Sequence, residues 1–155
     1  MKKKQTVYDK VNKLVVTELS GELDINDIEE WHQSLRTVLD TLEPATNFKI
    51  LVNLFGFTAL NFDAHKKFRT IIPELLAAYG WYVGYLRMFP EASVFIRSSA
   101  NIRCIAAAHV HQDETKIRNY ADNYSMRNES FFTDAAKARE WIESIPIPEA
   151  TFLKN

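Results

Sequence analysis

The run Phe48-Lys49-Ile50-Leu51-Val52-Asn53-Leu54-Phe55 constrains this chain more than any other stretch. Eight residues with only two polar interruptions are too few to span a bilayer and read as a strand covered on both faces. Such a strand belongs in the middle of a layered sheet, with helices screening it from water on either side.

The neighbouring segments supply those layers. Thr6 to Asp9 and Lys13 to Leu19 read as two short strands around a turn at Lys10-Val11-Asn12. Ile25, Ile28, Trp31, Leu35, Val38, Leu39 and Leu42 fall on one helical stripe, with Asp24 as N-cap, Leu23 stapled against Ile28, and Pro44 as the stop. Helical spacing resumes from Asn61 to Gly80, and Pro73 predicts a kink or break inside it. Ile102 to Val110 reads as a second buried strand, and Asp113 as the cap of a polar helix to about Tyr124. Glu129 to Phe132 reads as a short strand, and Thr133 as the cap of a last helix ended by Pro146 and Pro148. The expectation is one α/β domain over residues 1–155, with a mixed sheet of about four to five strands, helices on its faces and an irregular insertion around 81–99.

Composition narrows the function classes. A net charge of -1 removes the bulk electrostatic case for nucleic acid or an anionic membrane as partner. No apolar stretch approaches the roughly 18 residues of a membrane span, so no membrane insertion is expected. The Met1-Lys2-Lys3-Lys4 start lacks a following apolar segment and reads as a solvated, frayed end. A single cysteine, Cys104, fits a reducing compartment, and the expected location is the cytoplasm.

Three stretches carry a family resemblance: Gly21-Glu22-Leu23-Asp24-Ile25-Asn26-Asp27-Ile28, the strand Phe48 to Asn53, and Glu129 to Ile142 with its Ala-x-x-Trp. In them the chain resembles the SpoIIAA-like branch of the STAS fold, which is itself distantly similar to CRAL-TRIO lipid-binding domains. The resemblance implies the order strand-strand-helix-strand-helix-strand-helix-strand-helix and a binding or regulatory module. Regulatory members imply a phospho-switch of the anti-sigma-factor antagonist type, at a hydroxyl opening the helix after the central strand. Here Thr58 is the one hydroxyl in that loop, no Asp-Ser pair precedes the helix, and a turn role suits Thr58 better.

Two constellations bear on chemistry. His109, His111 and Asp113 close the second buried strand, where a strand continuing to 111 would put both imidazoles on one face as a divalent-metal set. The plainer reading makes Asp113 a helix cap and the histidines polar residues at a strand exit. The aromatic density from Phe55 to Phe95 exceeds what a thin sandwich needs for its core. Phe55, Phe57, Tyr79, Trp81, Tyr82 and Tyr85 are accordingly candidates for lining a small apolar pocket or a homodimer surface. No nucleophile elbow, dinucleotide fingerprint or P-loop is present, and Cys104 sits in an apolar strand as a packing residue. The expectation is a non-enzymatic module, without a cofactor, for a small apolar ligand or a protein partner. The alternatives are a metal-dependent enzyme on His109, His111 and Asp113, and the phospho-switch.

Overall fold

The computed structural model describes residues 2–89 and 101–148. The strands are β1 (Lys3–Asp9), β2 (Leu14–Leu23), β3 (Asn47–Asn53), β4 (Phe57–Ala59), β5 (Arg103–Val110) and β6 (Glu129–Phe132). The helices are α1 (Ile25–Leu39), α2 (Phe62–Arg69), α3 (Ile71–Ala78), α4 (Glu114–Tyr124) and α5 (Ala135–Ser144). The sheet order is β1-β2-β3-β5-β6, with β4 paired to the end of β2. β1 is antiparallel to β2, and every other pairing is parallel. The chain is therefore an α/β protein with a mixed six-stranded sheet.

The apolar run lies between β2 and β5 as β3, but only as far as Asn53: Leu54 and Phe55 leave the strand, and the Phe55 side chain is exposed. The alternation of β3 splits the core into two layers. Phe48, Ile50 and Val52 join Trp31, Leu35 and Leu76 on the face covered by α1 to α4. Leu51 joins Ala106, Ala108, Ala138 and Ile142 on the face covered by α5. Lys49 points to the α5 side and is buried, and its ammonium donates to the carbonyls of Ile142 (2.7 Å), Glu143 (3.3 Å) and Ile145 (3.0 Å). A lysine inside the central strand thus caps the carbonyl end of α5, where, among the described residues, only the Ile142 carbonyl also accepts a backbone N–H, from Ile145.

Several local expectations are corrected. The lysine-rich start is not frayed: Lys3–Asp9 forms β1, and Lys2 and Lys4 both pair with Asp27 at 2.8 and 2.9 Å. Asp24 does cap α1, in a capping box closed by Asp27, but the helix ends at Leu39, well short of Pro44. The break in the next helix falls at Thr70, which leaves Pro73 in the first turn of α3, where a missing N–H costs no helical bond. Asp134, not Thr133, caps α5, accepting from the Ala136 and Lys137 amides. Three residues suffice for β4, too short a run to show a period. Of the insertion, residues 81–89 hold one 3-10 turn at Leu86–Met88, and residues 90–99, with Phe95, lie outside the described residues.

Candidate functional site

The site forms at the C-terminal ends of β3, β5 and β6, the edge at which open parallel sheets present ligand sites. A register shift in β5 opposite Phe48/Lys49 resets its alternation. Beyond the shift, Ala107 joins the core layer under α1 to α4, and His109 stacks on Phe131 of that same layer. In β6, Glu129 and Phe131 stand opposite Ala107 and His109.

This register brings two titratable groups together in the core. Glu129 is fully buried, His109 is 7% exposed, and His109 Nε2 donates to Glu129 Oε2 over 2.8 Å. The imidazole lies flat against Phe131, with centroids 4.8 Å apart and planes 16° apart. The other carboxylate oxygen accepts from the Gly84 amide (3.1 Å) and from Trp81 Nε1 (3.3 Å). Glu129 therefore ties β5 to the 81–89 segment, satisfying three donors that burial would otherwise strand. Gly84 permits the approach, since a Cβ there would run into the Tyr124 carbonyl at the end of α4.

Under that segment lies a cavity of about 310 Å³, at the small end of ligand pockets. Its floor is Val52, Val110 and Phe131 from the strands; α3 adds Ile72 and Pro73. Tyr85, Met88 and Phe89 close it from above, and Ile117 and Tyr120 of α4 from the side. Tyr85 packs edge-on to Phe89, His109 and Phe131, and burial followed by the Glu129 carboxylate pushes its phenol well up. Among the described lining residues there is no serine, threonine, cysteine, aspartate or glutamate.

The polar part of the lining is basic. His65, His111 and Lys116 border both the cavity and an adjoining groove that runs past Phe57, Thr58 and Phe62, so they stand at the mouth. Arg69 lies 5.2 Å over the Phe89 ring, and Lys116 Nζ 5.8 Å over the Tyr120 ring. The His111 imidazole accepts at Nδ1 from the Asp113 amide (3.1 Å), which leaves Nε2 carrying the proton. Burial lowers the pKa of His65, His111 and Lys116 alike; the Lys116 charge lowers both histidines further, Arg69 lowers His65, and the Asp113 carboxylate opposes the fall at His111 and Lys116.

The sequence candidates are dispersed by the fold. Tyr85 lines the cavity, whereas Phe57 and Tyr79 are core residues, Tyr79 edge-on to Phe48. Trp81 serves as a donor to Glu129. Phe55 and Tyr82 are surface residues, 53% and 47% exposed. The proposed metal set is not gathered: β5 ends at Val110, His109 turns to Glu129, and Asp113 caps α4 through the Lys116 amide. No group of three or more His, Cys, Asp or Glu side chains suited to a metal exists among the described residues. Thr58 is exposed on β4 and lines the outer groove. Cys104 is buried, and burial pushes its thiol far up, away from thiolate chemistry.

Glu129 is the residue that sequence reasoning passed over. Its signal was a lone carboxylate opening a buried strand, Glu-Ser-Phe-Phe, in a chain whose other buried strand carries a lone histidine. Among the described residues no helix is long and apolar enough to cross a membrane. No protein-family model, curated protein or solved structure matches the chain.

Proposed function

We propose that this chain is a non-enzymatic binding module whose ligand is a small, largely apolar molecule held under the 81–89 segment. The observation that carries the reading is the cavity itself, walled by Phe131, Tyr85, Phe89, Ile72 and Tyr120 at the ligand-presenting end of a parallel sheet. At the ~30 Å³ a water-sized group occupies in a liquid, about 310 Å³ takes about ten non-hydrogen atoms. The described lining has no serine, threonine or cysteine to serve as a hydroxyl or thiol nucleophile, and the Tyr85 phenol is held protonated by burial. His109 is engaged by Glu129 and stacked on Phe131, which suits a wall better than a mobile proton carrier.

The SpoIIAA-like, STAS-type kinship belongs to the same reading. It is supported by the observed element order, which follows the implied one apart from β4 and the division of the second helix at Thr70. A cytoplasmic setting suits the buried, unpaired Cys104.

Octan-1-ol, a neutral probe of nine non-hydrogen atoms, tests the binding reading. At about 100 times its Kd it should stabilise the fold by about 2.7 kcal/mol, a rise in Tm of roughly 5–10 °C for a domain of this size. Ile72→Trp, which fills the cavity from α3, should remove that rise. A parent Tm unmoved by octan-1-ol and by the other probes named below would overturn the reading.

A further inference from the structure

The mouth of the cavity says what the ligand carries at its other end. Three parts of the chain converge there: His65 from α2, His111 just beyond the end of β5, and Lys116 from the first turn of α4, while Arg69 of α2 lines only the cavity. The chain as a whole is slightly acidic, yet the described lining has these basic side chains and no carboxylate. Asp113 borders only the outer groove and spends an oxygen on the Lys116 amide, although its charge still acts on His111 and Lys116. The Glu129 carboxylate is already filled by His109, Trp81 and Gly84.

The donors are set as well as gathered. The hydrogen bond from the Asp113 amide fixes the His111 tautomer, so Nε2–H remains a donor in both protonation states. The Lys116 ammonium rides over the Tyr120 ring and the Arg69 guanidinium over the Phe89 ring, both rings being cavity walls. The Lys116 ammonium, partly buried at the edge of an apolar chamber, gains when an anion enters.

We propose that the cavity binds a small amphiphilic anion: an apolar body of about eight carbon atoms inside, and a carboxylate or phosphate head at the mouth on His111, Lys116 and His65. The proposal rests on the binding reading above and adds the sign of the ligand's charge.

Calorimetric titration of the whole chain at neutral pH with octanoate, octyl phosphate, octan-1-ol and octylamine tests it, because the tails match and the heads differ. Octanoate or octyl phosphate should bind about tenfold or more tighter than octan-1-ol, as charge-assisted hydrogen bonds supply, and octylamine weakest of the four. The tighter of the two acids identifies the head group. Added salt should weaken the acids more than the alcohol. Lys116→Met and His111→Phe should each shrink the ratio of acid to alcohol affinity. That readout compares two ligands on one folded protein and so is not moved by a general loss of stability. Equal affinity for acid and alcohol overturns this proposal while leaving the binding reading intact; no binding of any of the four overturns both.

Discussion

Glu129→Ala is the sharpest perturbation of this structure. It removes the acceptor of three N–H donors, His109 Nε2, Trp81 Nε1 and the Gly84 amide, from a position with no solvent exposure. Each buried donor left without a partner costs about 1–3 kcal/mol, and the substitution strands three of them at once. The expected loss is about 4 kcal/mol, equivalent to a fall in Tm of about 10 °C. Glu129→Gln keeps the volume and one oxygen for Trp81 and Gly84, and its amide donates to His109 in the other tautomer, so it should cost only about 1–2 kcal/mol. Urea unfolding followed by circular dichroism gives both numbers. Hydrogen exchange at Gly84 should accelerate in the alanine variant more than exchange in β3, since the tie to the 81–89 segment is lost first. A Glu129→Ala protein within about 1 kcal/mol of the parent, or a glutamine variant as unstable as the alanine one, would refute the claim that this carboxylate organises the roof.

Lys49→Met should cost about 2 kcal/mol, because the carbonyls of Ile142, Glu143 and Ile145 lose their cation while the methionine keeps the packed stem. Exchange at the end of α5 reports the same event, and a change below about 0.5 kcal/mol would contradict the capping role. Acid should unfold the chain partly through Asp27, whose carboxyl is held well below its ordinary 3.8 by hydrogen bonds from Lys2, Lys4 and the Asp24 amide. Because the folded value is the lower one, the unfolded chain takes up the proton first. The stability due to Asp27 is therefore complete above about pH 5 and drains away as pH falls below about 4. Asp27→Asn should lower stability at pH 7 and flatten the loss between about pH 4 and pH 2, as read from urea midpoints across that range.

The fold was legible wherever a residue's burial follows from its own polarity. The run from Phe48 to Phe55 announces a strand covered on both faces, and its first six residues form one in the sheet interior, with Phe48, Ile50 and Val52 on one face and Leu51 on the other, while Phe55 turns out to the surface. Capping was legible for the same local reason at Asp24 and Asp113. Less could be read where long-range geometry decides. The register shift opposite Phe48/Lys49 carries no compositional mark, yet it sets the phase of β5 and so which layer the His109 ring enters. Nothing local tells that Lys2 and Lys4 find Asp27, or that the charge of Lys49 ends at α5.

The candidate site was hidden for a related reason. The aromatic residues between 55 and 89 were conspicuous, but most of them meet the core's demand for area, and only a few face the cavity. The groups that set the cavity's chemistry or hold its roof are single residues on separate elements: His109 on β5, His65 on α2 and Lys116 on α4 in the lining, and Glu129 on β6 behind it. Each departs from its own element's pattern, a carboxylate in a buried strand or a cation turned toward an apolar chamber. Such departures cost folding energy unless something at the site returns it. For Glu129 the return is visible in three hydrogen bonds. For His65, His111 and Lys116 it is not met by a carboxylate lining the cavity, and an anion entering from the groove would supply it.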